Sequence, residues 1–234
     1  MALALGDAVA QAAEARRRGL QLMVDLELRV ADGYRDFRSL IADRIGPLRK
    51  AALRMTLRGG AWGGWRGDPA LTGGSLFEMA IHQLDLAHWL FERDPVAVWA
   101  TGDDVPGTDF TAIIDFGEGD TAVVDFCWRA IGFEARVEAT GERGVAALDI
   151  AMPFGNGFRT VITADGTVRE PVEMSAQGPT TFQRVLEGFA DAAMAGAPLP
   201  IPTSYGVWAI AIAEGARRSM RSRSWEPLAL PTAE

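Results

Sequence analysis

Helical spacing of apolar positions marks both ends of the chain, and two-residue alternation marks its middle. Asp7 can cap a helix from about Ala8 to Arg18, with Arg16, Arg17 and Arg18 in the last turn and Gly19 to end it. The apolar run Leu20 to Leu26 predicts a buried strand. A second helix starts near Asp32, with Tyr34, Phe37, Ile41 and Ile45 on one face, and Gly46-Pro47 stops it. Leu53, Met55 and Leu57 then alternate with Arg54, Thr56 and Arg58, a strand with one wet face. A Gly-rich loop from Gly59 to Gly74, holding Trp62, Trp65, Arg66 and Asp68, leads to a strong helix from Ser75 to about Phe91.

The middle of the chain is a series of hairpins. Thr111 to Phe116 and Thr121 to Trp128 flank Gly117 to Asp120, and Glu134 to Thr140 and Val145 to Ile150 flank Gly141 to Gly144. Phe158 to Thr163 and Thr167 to Val172 flank Ala164 to Gly166. Two helices follow, Thr181 to Ala195 and Ser204 to about Met220. Successive hairpins bounded by helices predict an α+β fold, a mainly antiparallel open sheet with helices packed on one face.

The helix from Ser75 carries the candidate chemistry. At about 100° per residue, His82 lies roughly 40° from Glu78, and Asp85 about 20° to the other side. Most other directions are apolar: Phe77, Met79, Ile81, Leu84, Leu86 and Leu90. Such a helix is buried on several sides, so its polar stripe must face partners, water or a ligand. A Glu, a His and an Asp converging there suit proton transfer, the imidazole titrating near neutrality and the carboxylates orienting it. Two other arrangements fit the same residues. Ser75 to Glu78 matches a capping box, and His82 and Asp85 can satisfy each other in the core. All three are metal ligands too, although Glu-x-x-x-His matches no strong metal signature.

Composition narrows the partners. The 234 residues are 48% hydrophobic and 23% charged, ordinary for a chain that buries a real core. A net charge of -8 argues against nucleic acid, whose affinity comes mainly from Lys and Arg. The basic cluster Arg217, Arg218, Arg221 and Arg223 sits near a helix end, where cations are favoured. The single cysteine, Cys127, excludes an intrachain disulfide and suits a reducing compartment. No apolar stretch reaches membrane-spanning length, and the first residues lack signal-peptide form, so a cytoplasmic protein is expected.

The ordered set Gly73, Gly74, Glu78, His82 and Asp85 resembles the Gfo/Idh/MocA family of oxidoreductases, with Glu where Asp is common at the acidic position. Trp65-Arg66-Gly67-Asp68-Pro69 resembles the loop before that helix in many members. Glu138 to Gly144 resembles the family's Gly-x-x-Gly hairpin, and residues 182–198 and 205–222 its closing helices. The resemblance makes residues 1–27 a remnant (last helix and strand) of a nucleotide-binding Rossmann domain, and residues 28–234 the substrate and oligomerisation domain.

It also implies the activity. Hydride would pass between NAD or NADP and a carbinol carbon of a sugar, cyclitol or related polyol. His82 would exchange the hydroxyl proton, Glu78 would orient His82 or the substrate, and Asp85 would support them. Trp65, Arg66 and Asp68 would line the substrate side, and the sheet face would serve a homo-oligomer. The family's Gly-x-Gly-x-x-Gly turn is not in this sequence, and its Glu-Lys-Pro would fall just before Met1. This chain is therefore expected to bind NAD(P) weakly or not at all, and to be inactive alone. Of the family's Asn-Arg-Arg-Phe-like residues after the first strand, only Arg29 remains. The alternative is a non-catalytic oligomerisation or sugar-binding module that pairs with a separate Rossmann-bearing subunit.

Overall fold

The computed structural model describes residues 2–58, 64–103, 108–150, 157–172 and 178–230. Helix α1 (Leu5–Arg17) is followed by an extended segment and a tight helical turn at Glu27–Arg29. Helix α2 (Asp32–Leu40) widens over Ile41–Ile45 and ends at Gly46, whose φ of 79° closes it as its sequence predicts. Strand β1 (Leu48–Arg58) leads to two single-turn helices, α3 (Pro69–Thr72) and α4 (Ser75–Glu78), and to α5 (Ile81–Phe91). Strands β2 (Ala97–Gly102), β3 (Asp109–Asp115), β4 (Thr121–Cys127), β5 (Arg129–Gly141), β6 (Gly144–Ile150), β7 (Gly157–Thr163) and β8 (Gly166–Val172) follow. Helices α6 (Gly178–Ala195) and α7 (Thr203–Ser222) and the short β9 (Glu226–Pro227) complete the order.

The strands form one nine-stranded sheet in the order β8-β7-β6-β5-β1-β4-β3-β2-β9. Every neighbouring pair is antiparallel except β1 and β4. The fold is thus α+β with a mostly antiparallel open sheet, as predicted. Its parallel step has a simple cause: β1 leaves the sheet through α3 to α5 and the chain returns through the β2–β3 hairpin, so β4 reaches β1 in the same direction.

Period-two alternation sends one side of each strand inward. Leu148, Val137, Leu53, Val124, Ala112 and Ala100 are successive cross-strand partners, and all are buried. The helices α5 and α7 cover this face, with Leu84, Leu86, Ala209 and Ile212 fully enclosed. Ile113, Val123, Phe158 and Ile162 point the other way and remain partly or well exposed.

Three local expectations are corrected. Leu20 to Leu26 is not a strand: no described strand lies beside it to bond its backbone, Leu20 is exposed, and only Leu26 is buried. The first helix begins at Leu5 rather than near Ala8, because Glu214 of α7 accepts a hydrogen bond from the Leu5 amide at 2.6 Å and replaces an Asp7 cap. The helix from Ser75 is not continuous. Met79 and Ala80 both bond to the Ser75 carbonyl, and this wide turn separates α4 from α5. Gly74, not a serine side chain, precedes α4, so the capping box does not form.

Candidate functional site

Gly73 and Gly74 set the start of the site. Gly73 ends α3 at φ 78°, and a Cβ there would fall 2.8 Å from Leu3 and 2.9 Å from Phe77. Arg217 of α7 donates to the Gly73 carbonyl and lies over the Phe77 ring, holding the turn against the core. The wide turn at Met79–Ala80 then places Glu78 and His82 on separate helices, so their approach is not governed by one helical phase.

The polar stripe of α5 meets the Glu27–Arg29 turn residue by residue. His82 Nδ1 lies 3.0 Å from Glu27 Oε2, an ion-pair contact that lacks the angle of an aligned hydrogen bond. Asp85 accepts two hydrogen bonds from Arg29, at 2.7 and 2.8 Å, and both side chains are buried. The Arg29 guanidinium stacks on Tyr205 at 3.5 Å and lies 5.7 Å from the Trp89 ring. Asp85 is therefore committed to Arg29, and its distance from solvent makes it a structural support for the helix that carries His82.

Electrostatics around His82 is set by carboxylates. Burial alone depresses its pKa, but Glu27, then Asp85 and Asp25, outweigh that and raise it above 6.5. Asp25 is pushed up in turn, first by burial and then by Glu27, with His82 pulling the other way. Tyr34 is also pushed up, by burial and by the Glu27 charge. No described residue bonds His82 Nε2.

His82 borders two cavities. One, of about 730 Å³, is open and bounded by Leu3, Trp65, Leu71, Glu78 and Ile81. The other, of about 320 Å³, lies between the sheet, α6 and the Glu27–Arg29 turn. Asp25 also lines both. A third groove of about 680 Å³ lies by α2 and the β1 start, away from this site. Its arginines are already engaged: Arg38 with Glu92, Arg93 with Asp120, Arg49 with Glu142, and Arg143 with the carbonyls of Ala42 and Asp43.

Residues 34–147 match the family model described as the GFO/IDH/MocA C-terminal domain. This stretch, just under half of the chain, is similar to that C-terminal domain. An inositol 2-dehydrogenase of Rhizobium meliloti is 27% identical over 164 residues, 65% of this chain and 49% of that protein. An uncharacterized oxidoreductase of Bacillus subtilis is 28% identical over 166 residues, 65% of this chain and 48% of that protein. The chain thus spans about half the length of the curated relatives it matches. Among solved structures, an aldose-aldose oxidoreductase from Caulobacter crescentus superposes with a TM-score of 0.82 at 23% identity, covering 97% of this chain and 70% of that one. GenD2 of gentamicin A biosynthesis, solved with NAD, gives 0.80 at 21% identity, covering 97% and 69%.

Within this GFO/IDH/MocA fold, the expected site residues divide. Trp65, Glu78 and His82 share the open cleft. Trp65 is 67% exposed and presents its ring there. Asp68 does not reach the cleft lining: its carboxylate caps α3 by accepting from the Ala70 amide at 2.9 Å. The Arg66 side chain lies outside the described residues, as does Trp62. Glu27, Asp25 and Tyr205 are the members that periodicity does not reveal. Their signal is Asp25, Glu27 and Arg29 set in an otherwise apolar run, since buried charges demand partners. Among the described residues no group of three or more His, Cys, Asp or Glu could hold a metal ion. No described helix is long and apolar enough to cross a membrane.

Proposed function

We propose that this chain is the substrate-side part of an NAD(P)-dependent oxidoreductase acting on a CH–OH group, with His82 as the proton-exchanging residue. The observation that carries the reading is His82 itself: an imidazole backed on Nδ1 by a buried carboxylate, with Nε2 unclaimed, at the meeting point of two cavities. Oxidation of an alcohol requires loss of a hydroxyl proton as hydride leaves the carbon, and a supported imidazole can take that proton and return it in the reverse direction. Glu27 would stabilise the imidazolium so formed, and Glu78, which shares the lining of the open cleft with His82, would orient the hydroxyl. The inositol 2-dehydrogenase relative makes sugars, cyclitols and related polyols the first substrate candidates.

The open cleft fits one end of a dinucleotide. Leu3, Trp65, Leu71 and Ile81 give it an apolar wall against which a flat ring can pack. The pyrophosphate has no matching cradle among the described residues. The nearby N-terminus of α1 is occupied by the Glu214 carboxylate, where an anion would be repelled. When bound, nicotinamide supplies the hydride acceptor or donor; this chain's residues position the alcohol, hold the proton at His82 and exclude water. The pyrophosphate site would be contributed by a nucleotide-binding part, on the same chain or a separate one. We also propose a homo-oligomer through the outward sheet face, supported by its exposed Phe158 and Ile162.

The deciding experiment joins this chain to a nucleotide-binding partner and follows nicotinamide absorbance. His82→Gln should lower kcat by about 10²- to 10⁴-fold with substrate binding largely kept. Unchanged turnover in that variant would overturn the assignment of His82.

A further inference from the structure

Among the described residues, two are shared by the linings of the open cleft and the smaller cavity: Asp25 and His82. A carboxylate and an imidazole therefore stand together where the two spaces meet. The backbone fixes Asp25 in that position. Leu26 donates its amide to the Val24 carbonyl at 2.9 Å, which closes a three-residue turn with Asp25 at its centre. Leu26 is buried in the core and Thr203 donates to the Leu22 carbonyl, so the segment is tied down on both sides of the turn. Asp25 itself is exposed.

Asp25 lies two residues from Glu27, whose charge opposes its own, while Asp25 and His82 each favour the charged form of the other. A carboxylate accepts from a hydroxyl in a charge-assisted hydrogen bond, stronger than one between neutral groups. The carbinols of a polyol are chemically alike, so the one that reacts is chosen by how the molecule is held. One contact, at His82, leaves the substrate free to turn about the reacting carbon. A second contact, on the next carbon, fixes which carbinol and which face are presented.

We infer that Asp25 is a specificity-determining residue of this site: its carboxylate accepts a hydrogen bond from the hydroxyl next to the reacting carbinol, so the unit recognised is a vicinal diol. The inference rests on the proposed role of His82 and narrows the substrate class within the polyols. The two carboxylates divide the work, Glu27 holding the His82 ring and Asp25 the substrate.

The test titrates this chain with cis-1,2-cyclohexanediol and cis-1,4-cyclohexanediol, which have the same atoms and differ in whether the hydroxyls are adjacent. Binding is followed by NMR at the His82 imidazole Cε1 proton and at the methyl of Met79, which lines the smaller cavity. The 1,2-diol should bind about tenfold more tightly. Asp25→Ala should remove that preference by weakening the 1,2-diol alone, with the melting curve kept because the side chain is exposed. Equal weakening of both diols would mark a general disturbance of the site and overturn the inference. So would equal binding to the unsubstituted chain, a preference that survives Asp25→Ala, or signals that neither diol moves. A preference carried by Asp25, together with hydride transfer indifferent to His82→Gln in the assembly with a nucleotide-binding partner, would instead remove the catalytic reading and leave the diol contact standing.

Discussion

Glu27 Oε2 stands 3.0 Å from Nδ1 of His82, and through this contact a short turn sets the charge of a residue on a distant helix. Glu27→Gln keeps the shape and removes the charge, leaving burial, which depresses the imidazole, to act against the weaker pull of Asp85 and Asp25. The His82 pKa should fall, as followed by the imidazole Cε1 proton in an NMR titration. In an assembly with a nucleotide-binding partner, the limb of the pH–rate profile that reports His82 should move to lower pH by a similar amount. An unmoved titration would show that Glu27 does not govern the charge of the ring.

The chain has two histidines, and its fold displaces them in opposite directions. His88 is buried, with Nε2 3.2 Å from Asp94 Oδ1 and its ring tilted against Tyr205 and Trp208. Burial, then the Arg29 charge, lowers it from 6.5 to about 4. A lowered folded-state pKa gives stability that is present above pH 6.5 and lost as pH falls through about 4. The loss from this group should be roughly 3 kcal/mol. The raised His82 works the other way: its contribution is complete below pH 6.5 and fades as pH rises through its folded-state pKa. Two separate histidine titrations should bracket pH 6.5 in the folded chain, and urea unfolding of His88→Gln should lose most of the slope between pH 6.5 and 4.

The sheet, its three predicted hairpins and the terminal helices were legible because alternation and helical spacing report burial directly. Gly46, Gly73 and the turns at Gly117 and Gly166 were legible for a different reason, since each takes a positive φ. The site was only partly so. Residues 78, 82 and 85 suggested one ridge, but the wide turn after Glu78 comes from tertiary packing of α4, and no local spacing encodes it. The same holds for Leu20 to Leu26, whose apolar pattern fits a strand but whose conformation depends on having a neighbour. Arg29 was visible as a residue and not as the partner of Asp85, because pairing across the fold leaves no periodic mark.

Cofactor affinity follows from what the chain can and cannot hold. The cleft wall at Trp65 and Ile81 is apolar, but the tight part of dinucleotide binding is the pyrophosphate at a free helix N-terminus, and Glu214 occupies the one at α1. Calorimetry with NAD and NADP on this chain alone should show weak or no binding, and turnover should be negligible. Addition of a nucleotide-binding partner should restore both. A tight complex with the isolated chain would place a pyrophosphate site within it.

The Arg29–Asp85 pair tests how the support under His82 is built. Both side chains are almost completely enclosed and are joined by two hydrogen bonds. Removing one partner strands the other as a buried charge, so Asp85→Leu or Arg29→Leu alone should cost about 3–5 kcal/mol. Removing both eliminates the stranded charge, and the double variant should lose much less than the sum of the two, even though Arg29 also gives up its stacking on Tyr205. Urea unfolding of the four chains measures this coupling, provided the slopes agree. Strict additivity would mean that the two charges do not depend on each other, and that α5 holds His82 in place by apolar packing alone.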